Sequence, residues 1–459
     1  MTTSIRVKNV QFSVLPMETR FPFQYGIASM TELPHWLVFS EVEVDGKLVT
    51  GLASEGLPPK WFTKNPETTF EQDLPEFEAV IYHAVEQACA ASEAQSFFGW
   101  WQALYNAQAN WAEAQGIPGL LANLGVSLME RAVLDAVCRG TGESVHTVFM
   151  QNRLGIDLGA VHVELAGMQP ADVIVAEPAY KLQVRHTVGL GDPLMRSDEF
   201  MDDGLPLSLQ AIVAETGCRY FKIKVCGDLA VDIPRLEALA GLLPADAQFT
   251  VDGNEQYRDM VSFVGQYLAW RENEAIRGML DRGLLFLEQP LHRDVALDCE
   301  IPADVGLPPV IIDEADADLA SLPKALALGY AGTSHKNCKG IIKGLVNAAL
   351  VKKHGGVLSG EDLANVGPIA LLQDCTMMAL LGIAHVERNG HHYFKGLSMW
   401  PEAVQARCLE LHGDLYERHA GGFPALAISD GAIEIGSLIE APFGLGLDPM
   451  GDFGAMERV

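Results

Sequence analysis

Three carboxylates, each at the end of a short apolar run, are the residues of this sequence best suited to chemistry: Asp252 in Thr-Val-Asp-Gly-Asn, Glu288 in Leu-Phe-Leu-Glu-Gln-Pro and Asp313 in Val-Ile-Ile-Asp-Glu. Like charges at neighbouring strand ends repel one another unless a cation neutralises them. All-oxygen donors favour a hard ion, magnesium or alternatively manganese, over zinc. Three monodentate carboxylates fill about three of six octahedral positions and leave the rest to water and substrate oxygens. Taken alone, such a site would serve a metal-activated water in hydrolysis as well as it would serve other chemistry.

Lysines flank the carboxylates along the chain. In a strand, residues two apart share a face, so Phe221-Lys-Ile-Lys-Val sends Lys222 and Lys224 one way and Ile223 the other. Lys336 closes the later run Gly332-Thr-Ser-His-Lys. If these runs are strands two and six of an eight-stranded barrel, Lys224 and Lys336 face each other roughly across the axis with the metal between them. A nearby cation lowers a lysine's pKa, and the amine can then act as a base near neutral pH.

The elements that must position these groups can be read from spacing. Lys224, Asp252, Glu288, Asp313, Lys336 and Glu361 are separated by 28, 36, 25, 23 and 25 residues, each gap having room for one strand and one helix. Eight apolar runs recur: 182–186, 220–225, 249–252, 284–288, 310–313, 332–336, 357–361 and 383–387. This α/β pattern predicts a closed (β/α)8-type barrel over residues 181–420, with a doubly wound open sheet as the structural alternative. From Tyr220 onward every run carries a charge at or near its C-terminal end, where barrels place their sites. A solvated loop charge or a helix N-cap would explain any one of them, but explains the set poorly.

Ahead of the barrel, Trp36 to Leu52 reads as a hairpin about Asp45-Gly46, and 74–139 turns helical with Val126, Met129, Ala132, Val133 and Ala136 on one face. An α+β capping domain over 1–150 and a connector over 151–180 are expected. Residues 421–459 are expected to form a tail that returns to the cap, including a hairpin at 428–435.

Composition narrows the partners. A net charge of −28, from 32 basic and 60 acidic residues, repels phosphate backbones and anionic lipids, so neither nucleic acid nor membrane is expected. Eight scattered cysteines without a Cys-x-x-Cys pair argue against a thiolate zinc site and for a reducing cytoplasm. No leader and no run of ~20 apolar residues is recognisable.

The set resembles the enolase superfamily, in particular its muconate-lactonizing-enzyme-like subgroup within the mandelate racemase/muconate lactonizing enzyme family. The motifs are Lys222-Ile-Lys224, Asp252-Gly-Asn254, Glu288-Gln-Pro290, Asp313-Glu314 and Lys336 to Gly340. Pro22 to Gly26 looks like the mobile capping loop, Val44 to Gly51 like its hairpin, Val126 to Gly140 like the helix before the barrel and Phe443 to Asp448 like the closing tail. The resemblance implies a Mg-dependent enzyme that removes the proton α to the carboxylate of a small acid through a metal-stabilised enediolate. Racemisation, epimerisation or cycloisomerisation would follow, with a lyase acting by syn β-elimination, for instance on a sugar acid, or a non-catalytic protein as alternatives.

In that reading Lys224 is one base and Lys336 the opposite base or acid, Lys222 neutralises the substrate carboxylate, and Asn254 and Gln289 orient the ligands. Phe23, Tyr25, Trp61, Glu361, Asp362 and Glu387 are expected to contact substrate. His335 should point out of the barrel into core packing. The sequence departs from the mandelate-racemase-like branch in lacking a strand-seven histidine, since Ser359-Gly-Glu361-Asp362 offers none. The extra segments 152–180 and 190–205 are expected to reshape the entrance or to make a subunit contact in a homo-oligomer.

Overall fold

Asp45 and Gly46 both take positive φ, 47° and 81°, the conformation a two-residue hairpin needs to match strand twist. In the computed structural model, which describes residues 2–458, this turn lies within an antiparallel sheet. Its strands are β1 (Ser4–Tyr25), β2 (Ala28–Val44), β3 (Lys47–Gly56) and the short edge strand β4 (Gln95–Ser96), in the order β3-β2-β1-β4. Helices α1 (Phe70–Cys89), α2 (Phe97–Gln115) and α3 (Gly119–Thr141) pack against it. A Cβ at Gly51 would lie 2.0 Å from the Ala132 carbonyl oxygen, so glycine there lets α3 lie directly on β3. Helix α3 is buried from Leu120 to Cys138 on every side. The single face read from the sequence is thus too narrow, because α3 is enclosed by the sheet, the other two helices and the barrel.

The eight apolar runs are the eight barrel strands: β5 (Lys181–Val188), β6 (Tyr220–Lys224), β7 (Gln248–Asp252), β8 (Leu284–Glu288), β9 (Val310–Ile312), β10 (Gly332–His335), β11 (Val357–Gly360) and β12 (His385–Arg388). Neighbours are parallel, and β12 pairs with β5 through His385↔Gln183 to Arg388↔His186. That last pairing closes the barrel and removes the open-sheet alternative. Register sets Lys224, Asp252 and Glu288 side by side in one row across β6, β7 and β8.

After the barrel, β13 (Tyr416–Arg418) and β14 (Pro424–Leu426) form a hairpin. β15 (Ala432–Glu434) adds antiparallel to Lys181–Gln183 of β5. The expected hairpin at 428–435 therefore stays on the barrel instead of reaching the cap. The first residues of β5 precede its pairing with β6, which begins at Arg185↔Tyr220, and β15 satisfies their otherwise free backbone groups. The final residues do reach the cap: the Arg458 guanidinium lies 3.6 Å from the centre of the Phe39 ring and Ser13 Oγ donates to the Glu457 carbonyl at 2.6 Å. Among the described residues no helix is long and apolar enough to cross a membrane.

The insertion after β5 fastens the cap to the barrel. Arg20 on β1 grips Asp203 with two bonds of 2.7 and 2.8 Å and donates to the carbonyls of Leu205 and His392.

Candidate active site

The barrel mouth holds a dense charge network built from alternate residues of parallel strands. Lys222 is almost wholly buried, and its Nζ lies 2.7 Å from Glu288, 2.9 Å from both Glu361 and Glu387, and 3.1 Å from Asp252. Lys224 Nζ donates to Asp252 Oδ2 at 2.5 Å, Lys336 Nζ to Asp313 Oδ2 at 2.6 Å. β6 and β10 are the second and sixth strands of eight, so Lys224 and Lys336 enter from opposite sides of the barrel.

Burial disfavours the charge on Lys222, but its four carboxylates outweigh that and hold its pKa well above the ordinary lysine value. The same balance acts on Lys336, where Asp313 and Glu361 overcome burial. This direction is opposite to the depression that a neighbouring cation would impose. Among the acids, burial and the Asp252 and Glu361 charges push Glu288 well above the carboxylate range. For Glu361 and Asp313, burial is overcome by lysines, with Arg185 also acting on Glu361, and both lie well below it.

Whether these residues fit a divalent cation is decided by the donors. Glu288, Asp313 and Glu361 each place a carboxylate oxygen within 4.8 Å of the others. Glu288 Oε2 is buried without a hydrogen-bond partner, a condition costly for a carboxylate and relieved by a cation. The all-oxygen set fits a hard ion. Two of the three expected ligands, Glu288 and Asp313, thus come together. Asp252 stands beside them with Oδ2 held by Lys224 and Lys222, and Oδ1 by the Asn254 backbone N–H at 2.8 Å. Glu361, expected on the substrate side, belongs to the carboxylate group instead. Its Oε1 accepts from Arg185 at 3.2 Å and Ser359 at 2.6 Å, which ties it into the barrel interior.

The groups expected to orient the ligands behave differently from each other. Gln289 Oε1 accepts from the backbone N–H groups of Asp313 and Ala315 at 2.7 and 3.1 Å, fixing the turn that carries Asp313. The Asn254 amide instead donates to Glu314. Lys339 was not singled out from the sequence, yet its Nζ lies 2.8 Å from both Asp313 Oδ1 and the Asp313 carbonyl oxygen. The signal for it was a second lysine one helical turn after Lys336. Arg185 was missed as well, although a charge inside a buried apolar run is itself a signal.

A small cavity opens onto this network. Phe23, Tyr25 and Trp61 line it, together with Asn254, Asp362, Glu387, Lys222, Lys224 and Lys336, and also Met30, Leu363 and Asn389, which sequence did not suggest. The Lys336 ammonium sits 4.7 Å from the centre of the Trp61 ring. Phe23 stacks on Tyr393 at 3.9 Å, and Tyr25 Oη donates to the Pro59 carbonyl at 2.7 Å. Asp362 is neutralised by Arg388 at 3.0 Å, and Glu387 is held by Lys222 and Thr187. His335 faces outward against the helix at 341–354, where a Cβ on Gly344 would lie 2.2 Å from its ring, in agreement with a packing role.

Residues 207–415 match the model of the enolase C-terminal domain-like family. Over 96% of this chain and 99% of that one, the fold is similar to a mandelate racemase/muconate lactonizing protein from Herpetosiphon aurantiacus (TM-score 0.63, 17% identity). It is also similar to an enolase from Bradyrhizobium complexed with magnesium and mandelic acid (0.62, 16%, 100% of both chains). A third likeness is to a muconate lactonizing enzyme from Pseudomonas fluorescens complexed with muconolactone (0.60, 16%, 99% of both chains). No curated protein matches the chain in sequence.

Proposed function

We infer that this protein is a divalent-metal-dependent enzyme that transfers the proton α to the carboxylate of a small acid, as a racemase or epimerase when a proton returns to the same carbon, or as a cycloisomerase when the proton transfer is balanced by a bond made or broken at the β-carbon of the same molecule. The observation that carries this reading is the arrangement of Lys224 and Lys336, which approach one cavity from opposite sides of a buried carboxylate group. Glu288 and Asp313, with Asp252 or Glu361, would hold magnesium or manganese. A bound divalent cation supplies positive charge that stabilises negative charge building up on a carboxylate.

The chain's own residues do the rest. Lys222 lies at the carboxylate end and offsets the negative charge there. The amine of Lys224 takes the α-proton on one face, and the ammonium of Lys336 delivers its proton to the other; the reverse reaction exchanges the two roles. Proton transfer by a positioned side chain contributes about 10²–10⁴-fold in rate. A syn elimination needs only one lysine as base, so the same pair also serves the lyase alternative. The relatives complexed with mandelic acid and with muconolactone support a small acid as the class of ligand.

The test is incubation of the protein with a panel of carboxylic acids in D₂O containing Mg²⁺, following the α-proton signal by NMR. Metal-dependent loss of that signal for at least one acid is expected. No exchange across amino acid derivatives, aryl acids, aliphatic acids and sugar acids would contradict the reading and favour a non-catalytic barrel.

A further inference from the structure

Two loops at the barrel mouth are lined by cavities on both sides. Asp362, Leu363 and Ala364 after β11, and Asn389 after β12, face the cavity over the charge network. The residues that follow directly, Asn365 to Gly367 and Gly390 to His391, line a second cavity of about 230 Å³. Its other walls are Leu205 and Pro206 of the insertion after β5, the end of the helix at Leu209–Thr216, and Tyr416, Leu426 and Ile428 on and beside the β13–β14 hairpin.

This second wall carries polar atoms that the fold leaves unpaired. Tyr416 is 2% exposed and Asn365 3%, yet neither Tyr416 Oη nor Asn365 Oδ1 has a hydrogen-bond partner, and the Nδ1 of His391 is likewise buried without one. Glycine at 367 makes room for the tyrosine hydroxyl, since a Cβ there would run into Oη. Such groups lose their water on folding and gain nothing in return unless something in the cavity bonds to them. Burial holds the Tyr416 hydroxyl protonated, with its pKa well above the ordinary value, so it can donate, while Asn365 Oδ1 only accepts. A ligand hydroxyl offers both, an acceptor for Tyr416 and a donor for Asn365.

Charge narrows the ligand further. No lysine or arginine lines the cavity among the described residues, so an anion would be buried there without a counter-ion. Its two acids, Glu215 and Glu417, are exposed, and Glu215 pairs with Arg196 at 2.8 Å. The interior is apolar, with Val366, Leu371 and Leu397 almost wholly buried. The volume exceeds the roughly 150 Å³ that accepts a benzene ring.

We propose that this second cavity binds a small uncharged molecule with an apolar ring and one hydroxyl, of the phenol class. The site is independent of the proposed function, because none of its residues belongs to the carboxylate and lysine group.

The test is ligand-observed NMR titration of phenol, toluene and benzoate, which share one ring and differ in its substituent, against the full chain in Mg²⁺. Binding at this site is the part removed by Leu426→Trp or Leu205→Trp, which fill the cavity from two separate segments. Leu363→Trp narrows the mouth instead, and all variants are checked for folding by circular dichroism. Phenol should bind saturably, weaken by about 10-fold or more in each filled variant, and be unchanged by Leu363→Trp. Benzoate at this site should be weaker than phenol by about 10-fold or more. Tyr416→Phe should weaken phenol by about 10-fold and leave toluene unchanged, a split that a merely structural role of the ring would not produce. Absence of saturable phenol binding, whether water or a second copy of the chain fills the cavity, overturns the proposal. So does phenol binding that Leu363→Trp removes and the filled variants keep, benzoate binding as tight as phenol, or a Tyr416→Phe variant that treats phenol and toluene alike.

Discussion

The barrel mouth and the cap that closes it are built on opposite principles. At the mouth, charge is positioned by backbone register: Lys224, Asp252 and Glu288 stand in one row because their parallel strands pair residue for residue. On the cap side, apolar rings are positioned by long-range closure, with Phe23 and Tyr25 on β1 and Trp61 beyond β3 brought over the mouth by contacts such as Arg20 with Asp203. Rigid strands thus carry the charged groups and a separately fastened cap carries the apolar rings that line the cavity, so the rings can change without disturbing the carboxylates.

The sharpest way to break the comparison is at the mouth. Glu288→Gln removes a charge from the group that would hold the ion. Magnesium affinity measured by calorimetry should fall by about 100-fold or more, since even the partners behind metal ligands are worth 10–100-fold, while the barrel stays folded. Unchanged affinity would remove Glu288 from the ligand set.

A smaller effect is expected where the lid is fastened. Arg20→Ala breaks a bidentate pair whose arginine is nearly buried and whose aspartate is partly exposed. Stability in chemical denaturation should fall by about 2 kcal/mol, below the cost of breaking a fully buried pair because of that exposure. Ligand affinity should weaken as well, with magnesium affinity intact. Equal loss of both would mean that lid and mouth are not separable.

The smallest effect lies inside the cap. Burial, assisted by the Arg131 charge, lowers the His35 pKa from 6.5 to about 3. The folded cap keeps this ring neutral while the unfolded chain takes up a proton below about 6.5, so its contribution to stability is present above that pH and is lost as pH falls toward 3. The slope from one such group is at most about 1.4 kcal/mol per pH unit. His35→Gln should flatten the decline of melting temperature between pH 6 and pH 4, on the order of these limits, and an unchanged slope would assign the decline to other groups.

The mouth was far more legible in the sequence than the cap. Eight apolar runs, seven of them with a charge at or near the C-terminal end, match all eight strands, because a parallel strand buried on both faces leaves a continuous apolar signal and a charge at its end is conspicuous. What could not be read was the branching of side chains once strands were adjacent. Glu361 and Asp362 are neighbours in sequence, yet one turns into the carboxylate group against Arg185 and the other lines the cavity against Arg388. Lys339 reaches Asp313 only because a short turn after β10 folds it back. In the cap, Met30 carried no signal at all, since an apolar residue in an apolar strand looks the same whether it faces a core or a ligand. The place of β15 on β5 was equally hidden, as it depends on an unpaired edge created by the register of two other strands.

The central claim is that two lysines serve opposite faces of one substrate carbon. It is tested most directly by α-proton exchange in D₂O on the separate enantiomers of an acid that the native protein exchanges, in Lys224→Ala and Lys336→Ala. Each variant should lose exchange of one enantiomer by about 10³-fold and keep exchange of the other, with the two variants complementary. Equal loss of both enantiomers in each variant, or exchange that survives in the doubly substituted protein, would contradict it.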